Sequence, residues 1–278
     1  MRIGQTFFKN TDFIYYAIQK GIVKLDEALQ GSTLHTAHPP ELGEMLFRGE
    51  IDVAPASSVI YAQHSGDFLL LPDFSISAFG ETRSILLFSG KCNSLGDLDG
   101  KKVAVPGTSA SSSALLRILL KIRGIGAEVV HQGKPEIKNM LSIADAALLI
   151  GDDALIANSG RNRIVCDLGE EWRAATGKKM VYALWILRRK FAEENPEQVE
   201  SFYRKLGQSR EYAYRNIDAL SRELASRINI STEAMKKHLL KLDYGFDRRS
   251  EEGLKEYFKY AKKFGIIKAV PVLNFFKV

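Results

Sequence analysis

An α/β fold of two lobes separated by a cleft is predicted from three observations. Strand-like apolar runs alternate with helical ones along the chain up to Leu187, the pattern of helices packed on largely parallel sheets. Two of the apolar runs, Arg83–Phe88 and Met180–Leu187, are long enough to carry the chain from one lobe to the other and back. Between them, after the polar and turn-rich stretch from Gly90 to Gly100, a strand–turn–helix unit begins afresh at Val103. The expected lobes are residues 1–88 with 182–278, and residues 89–181, with the first crossing near Phe88. Such a pair can close by hinge motion, and ligands favour the interface between domains.

The elements follow in order. Arg2-Ile3-Gly4 opens as a strand, and Phe13, Ile14, Ala17 and Ile18 mark a helix that stops near Gly21. Asn10, Thr11 and Asp12 fall on the turn between them, where open α/β sheets bind ligands; Asp12 is expected to cap the helix and Asn10 to face the site. Thr33–Thr36 reads as a strand, Pro39-Pro40-Glu41 as a helix start, and Arg48-Gly49-Glu50 as its end. The run Ile51–Tyr61 gives a strand, a turn bearing Ser57 and Ser58, and another helix start. Leu69–Pro72, Ser75–Ala78 and Arg83–Phe88 are three further strand-like runs.

In the second lobe, Glu128–His131 and Ala146–Ile150 are strands, with a helix from about Pro135 between them. Asp152 closes the second of these strands as a ligand-facing residue would, and Asp153 is expected to cap a helix starting at Ala154. Ile164–Asp167 is a strand leading into a turn and short helix. From Pro196 to Gly265 the pattern is helical, with Ser231 and Ser250 as expected caps and Gly265 as the stop. The apolar tail Val270–Phe276 is expected to pack on the protein or on a second subunit, so a homodimer is one of the two arrangements it allows.

The run from Val103 to Ile122 carries the strongest functional signal. Val103–Val105 passes through Pro106-Gly107 into Thr108-Ser109-Ala110-Ser111-Ser112-Ser113, and Leu115, Leu116, Leu119, Leu120 and Ile122 follow at helical spacing. Free N–H groups at a helix start, the positive end of its dipole and several hydroxyls make a receptor for a carboxylate or phosphate. The alternative is that one serine caps the helix and the others are solvated. Ser57 and Ser58 carry the same two readings.

The chain has 278 residues, 45% of them hydrophobic, enough for two cores. A net charge of +6 favours an anionic partner, but Lys and Arg are interspersed with acidic residues, so no nucleic-acid partner is expected. Cys92 and Cys166 are distant and form no CxxC, which points to a reducing compartment and half-buried or buried thiols. No signal-peptide pattern opens the sequence and no apolar run reaches spanning length, so a cytoplasmic protein without membrane contact is expected. His35, His38, His64, His131 and His238 show no HxxxH spacing. They are read as surface or turn residues with no metal, His38 being the one placed to face the cleft.

Three sets of runs then align with a known family: PPELGEMLFRGEIDVAPASSVIYA from Pro39; LLPDFSISAFGETRSILLFS from Leu70 with VAVPGTSASSSALLRILL from Val103; and ALLIGDDAL from Ala147 with DLGEEWRAATGKKMVYALWILRRKF from Asp167. They resemble chorismate dehydratase, the first enzyme of the futalosine route to menaquinone, over nearly all of the chain up to Phe191. The resemblance implies the two-lobed fold of type II periplasmic binding proteins. It also implies a hydro-lyase that converts chorismate, a dicarboxylate, to 3-[(1-carboxyvinyl)oxy]benzoate without metal or organic cofactor.

On that resemblance Asn10 matches a catalytic or substrate-orienting asparagine and Ser84 a serine of the crossing strand. A neutral amide is a poor base, so Asn10 is expected to position the substrate, with the substrate carboxylate, water or Asp152 sharing proton transfer. Ser57, Ser58, Arg83, Thr108, Ser109, Ser111 and Ser112 are the expected substrate contacts, although strand alternation sends Arg83 and Ser84 to opposite faces. One departure is that Asn10-Thr11-Asp12-Phe13 is closer to the opening of a sister family, 1,4-dihydroxy-6-naphthoate synthase. Members of that family carry a histidine where this chain finishes Leu149-Ile150-Gly151-Asp152. That enzyme, and a non-catalytic small-anion-binding protein of the same fold, are the alternatives.

Overall fold

The computed structural model describes residues 1–160 and 162–278. Strands β1 (Arg2–Thr6), β2 (Thr33–Ala37), β3 (Val53–Ser57), β4 (Phe68–Ala78) and β10 (Met180–Arg188) form one sheet in the order β2-β1-β3-β10-β4. Strands β5 (Ile85–Phe88), β6 (Lys102–Pro106), β7 (Glu128–Gln132), β8 (Ala146–Ile150) and β9 (Ile164–Asp167) form a second in the order β7-β6-β8-β5-β9. In each sheet four strands run in one direction, and the strand that arrives from the other lobe, β10 or β5, runs against both of its neighbours. The chain is therefore an α/β protein of two lobes with a cleft between them.

The same strand–helix alternation builds both halves. Helices α1 (Lys9–Gln19), α2 (Pro39–Arg48) and α3 (Ser58–Gln63) follow β1, β2 and β3, while α4 (Ala110–Ile122), α5 (Ile137–Ile143), α6 (Gly151–Ser159) and α7 (Leu168–Thr176) follow β6, β7, β8 and β9. Central strands β3, β5 and β8 are buried along their whole length, as strands covered on both faces must be. At the start of β1, Asp52 accepts from the Arg2 main chain at 2.7 Å and pairs with Arg2 and Arg188 guanidinium groups at 2.6 and 3.2 Å. Those two arginines hold its carboxyl below the ordinary range despite burial.

Several local expectations change. The runs at Leu69 and Ser75 are one strand, β4, which tolerates a positive φ of 61° at Asp73 through a register shift against β10. The first crossing comes earlier than Phe88: Ile85–Phe88 already pair with Ala147–Ile150 in the second sheet, so the chain crosses between Ala78 and Ile85. The return precedes Met180, because all of β10 lies in the first sheet. Asp12 does not cap α1 but accepts from Gln5 Nε2 at 2.6 Å and pairs with Lys9. Asp153 does not cap α6, which starts at Gly151 after Ile150.

The C-terminal region is helical as expected: α8 (Arg189–Glu194), α9 (Pro196–Arg215), α10 (Ile217–Arg227), α11 (Thr232–Lys241) and α12 (Arg248–Lys263). Ser231 caps α11, but Asp247 rather than Ser250 caps α12, accepting from the Ser250 main chain at 2.7 Å. Gly265, at φ 75°, follows the last turn. The tail lies along the edge of the first sheet: Leu70 donates to Asn274 O at 2.8 Å and Phe276 donates to Leu70 O at 2.9 Å.

Both crossings are gripped by these helices. His238 on α11 donates from Nδ1 to Thr82 O at 3.0 Å. Lys179 pairs with Asp243 and Asp247 at 2.5 and 3.4 Å, and its carbonyl lies where a Cβ on Gly253 would sit. Among the described residues no helix is long and apolar enough to cross a membrane.

Candidate functional site

In both lobes the strands that run parallel deliver a helix start to the cleft. Five helices that follow strands, α1, α2, α3, α4 and α6, each supply a residue at or beside their first turn to a cavity of about 80 Å³ between the lobes. Asn10 comes from α1, Pro39 from α2, Ser57 from the residue before α3, Ser109 to Ser112 from α4, and Gly151 from α6. Converging N-termini create a region of positive potential without any lysine or arginine in the wall. The remaining wall is largely apolar, with Phe8, Pro55, Ile76, Ile150 and Leu242. An apolar slot with dipole ends at its rim suits a carboxylate on a hydrocarbon ring.

Of the residues expected at the site, Asn10, Ser57, Ser84, Ser109, Ser111 and Ser112 line the cavity. Asn10 Oδ1 is buried there without a hydrogen-bond partner, so it is an acceptor for a ligand donor. The serines divide their work. Ser109 caps α4, accepting from the Ser112 main chain at 3.2 Å. Ser111 donates its hydroxyl to Tyr182 O at 2.8 Å and lies 2.5 Å from Ser57 Oγ and 3.1 Å from Ser58 Oγ. Ser58 Oγ in turn donates to Val181 O at 3.0 Å. These serines tie the start of α4 to the first lobe, and its first turn carries main-chain N–H groups without partners inside the helix.

Ser58, Arg83, Thr108 and Asp152 are outside the cavity wall. Arg83 sits at φ 64° on the crossing, its side chain a third exposed and 3.8 Å from Glu81, while Ser84 faces the cavity. Both residues precede β5, and Arg83 has a left-handed φ, so strand alternation does not govern this pair. Thr108 Oγ1 is buried behind the helix start. Asp152 turns its carboxylate to the first turn of α1, accepting from the Lys9 main chain at 3.0 Å. His38 is half-buried against Phe7, ring centroids 5.2 Å apart, and is not part of the cavity wall.

Burial governs the titration of the surrounding groups. It pushes the Asp152 carboxyl up to about 6, against the opposing pull of Lys9. It raises Asp153, which His38 partly offsets, and Asp167, whose carboxylate accepts main-chain N–H groups of Thr82, Arg83 and Gly169 at 2.7 to 2.8 Å. His238, 1% exposed, is pushed down to about 4; it is a buried neutral imidazole and not the surface residue expected. Cys92 is buried and Cys166 half-buried, both free thiols. Among the described residues no group of three or more His, Cys, Asp or Glu could hold a metal ion.

Sequence reasoning missed the apolar wall and Gly151. That glycine has φ 54°, and a Cβ on it would come within 2.5 Å of the Phe8 ring. The signal was available in the Ile150-Gly151-Asp152 order, since a glycine directly after a strand marks either a left-handed residue or a close approach; here it is both.

Comparison with known proteins fits this geometry. The chain is 29% identical over 246 residues to chorismate dehydratase from Thermus thermophilus, covering 82% of this chain and 86% of that one. A crystal structure of a protein from Archaeoglobus fulgidus superposes with a TM-score of 0.79 at 23% identity, over 96% of this chain and 98% of the other. The alkanesulfonate-binding protein of Xanthomonas axonopodis, bound to MOPS, superposes with a TM-score of 0.73 at 18% identity, over 99% and 95%. These structural likenesses establish a periplasmic-binding-protein-like fold. The sequence profile of the menaquinone biosynthesis family matches residues 1–263, and the chain belongs to that family.

Proposed function

We propose that this protein is a chorismate dehydratase of the futalosine route, removing water from chorismate to give 3-[(1-carboxyvinyl)oxy]benzoate. The observation that carries the reading is the interlobe cavity in which Asn10, with a buried unpartnered Oδ1, lines the same wall as the α4 helix start. Chorismate has a carboxylate on the ring, conjugated through a ring double bond to the carbon that bears both the ether and the hydrogen to be lost. As that C–H bond breaks, its electron pair delocalises into the ring carboxylate. The neighbouring C–O bond then breaks, hydroxide leaves as water with the proton, and the ring becomes aromatic.

Each feature of the wall has a part in this sequence. The first turn of α4 holds the ring carboxylate and stabilises the added charge, as main-chain donors do at an oxyanion site. The apolar wall excludes water around the ring, which strengthens that interaction. Asn10 accepts from the substrate hydroxyl and orients it, and Ser84 faces the same space.

Gly151 weighs against the naphthoate synthase alternative. That family's histidine belongs at this corner, and here a left-handed φ and the Phe8 ring leave no room for a Cβ at position 151.

The test is to incubate purified protein with chorismate and follow the product by chromatography. Product above background supports the reading. Chorismate bound but unconverted would make this a binding protein and refute it. Asn10→Ala should lower turnover by ~10²-fold or more with an unchanged circular dichroism spectrum.

A further inference from the structure

Three consecutive residues at the start of α1 engage the cleft in three different ways. The Phe8 ring packs against Gly151. The Lys9 main-chain N–H donates to Asp152 Oδ1 at 3.0 Å. Asn10 lines the cavity. Phe8 and Lys9 therefore meet the first turn of α6, which belongs to the other lobe, and the next residue is the asparagine that faces the ligand.

An end of α1 is thus satisfied from across the cleft. The carboxylate that accepts the Lys9 N–H stands 143 residues later in the chain, whereas helix capping is ordinarily local. Asp152 also lies 3.6 Å from the Lys9 ammonium. That ammonium is held by the first lobe itself: Asp12 Oδ2 is 2.9 Å away, Asp12 is fixed by Gln5 at 2.6 Å and by Arg227 at 3.5 Å, and Gln5 accepts from Gln19 at 2.7 Å. All of these partners come from β1, α1 and α10. They form a socket that the first lobe assembles alone, and Asp152 is its one member from the second lobe.

We propose that Asp152 is a positioning residue: when the lobes close it docks in the Lys9 socket, fixing the first turn of α1 and with it the place of Asn10 against the substrate. The proposal rests on the dehydratase reading for its kinetic consequence, but not for its structural one. It removes Asp152 from proton transfer, because its carboxylate is turned to Lys9 and is not part of the cavity wall. It also makes completion of the site depend on closure.

Substitutions at Asp152 separate these roles. Asp152→Asn keeps an oxygen for the Lys9 N–H and loses only the charge pairing, so kcat/KM should stay within about fivefold of the parent, the value of a partly exposed ion pair. Asp152→Ala loses both interactions. It should lower kcat as well as raise KM, together by ~10²-fold, the scale of an ångström-level misplacement, and small-angle scattering should show a larger ligand-free radius of gyration. Asp152→Ser, whose hydroxyl is too short to reach, repeats the measurement if the alanine variant does not fold.

Asp152→Asn as inactive as Asp152→Ala would assign the carboxyl to proton transfer and overturn the proposal. Parent-like kinetics and parent-like dimensions for Asp152→Ala would overturn it as well. If the parent protein does not convert chorismate, the dehydratase reading fails by itself. The latch is then judged from scattering alone, where expansion of the alanine variant but not the asparagine variant sustains it and equal dimensions refute it.

Discussion

The imidazole of His238 makes stability depend on pH with a sign and size that the structure sets. It is 1% exposed, donates to Thr82 O at 3.0 Å, and is pushed down to about 4 first by burial and further by the Arg83 charge, with the Thr82 bond opposing both. The unfolded chain therefore takes up a proton below about pH 6.5 while the folded chain resists until about pH 4. Stability supplied by the neutral ring is complete above that window and is lost as pH falls through it, about 3 kcal/mol in all and about 2 kcal/mol between pH 8 and pH 5. Asp152 works in the opposite direction: its carboxyl is raised to about 6, so folding favours its protonated form and stability rises as pH falls from there. The two slopes oppose one another, and Asp153 and Asp167, both raised by burial, add to that of Asp152. Comparison with His238→Asn, whose side-chain amide can still reach Thr82 O, isolates the histidine. In urea unfolding the stability gap between parent and variant should shrink by about 2 kcal/mol from pH 8 to pH 5. A gap constant to within about 0.5 kcal/mol would refute the assignment of a neutral buried ring.

Two substitutions at the cavity wall test the packing described there. Gly151→Ala forces a Cβ into the Phe8 ring at a φ of 54°, and urea unfolding should show a loss of about 2 to 4 kcal/mol, the sum of left-handed strain and overpacking; a loss under about 1 kcal/mol would mean that Phe8 does not bear on this corner. Ser111→Ala removes the hydroxyl shared by Ser57, Ser58 and Tyr182 O and should cost about 1 to 3 kcal/mol in the same assay. It should leave the α4 main chain intact, so on the proposed dehydratase reading chorismate affinity measured calorimetrically should change far less than stability.

Much of the fold was legible because it depends on local pattern. Each strand–helix unit carries its own periodicity and turn, so β1 to β3 and β6 to β8 are readable with their helices, and the serine-rich start of α4, read as an anion receptor, lines the cavity. What escaped depends on partners remote in sequence. Nothing near Ser111 in the sequence reveals Ser57, 54 residues earlier, as its partner. Nor does anything near Asp152 reveal that its carboxylate accepts from the Lys9 main chain. The crossing was placed too late because the apolar run ending at Phe88 says nothing about which sheet it joins. His238 was readable in principle: Met235, His238 and Leu239 share one buried helix stripe, and a histidine on such a stripe is an interior residue.

The grip of the C-terminal helices on Thr82 and Lys179 has a mechanical consequence. Neither connection between the halves is a loose tether: one is fastened to α11 by an imidazole and the other is wedged beneath Gly253 and pinned by two aspartates. Thr82 is held from both halves, its carbonyl by His238 and its N–H by Asp167, so the opening path is steered by a region that contributes no residue to the wall around Asn10 beyond Leu242. Substitutions in α11 or α12 far from bound substrate should therefore tune how readily the jaws part while leaving the chemistry between them untouched.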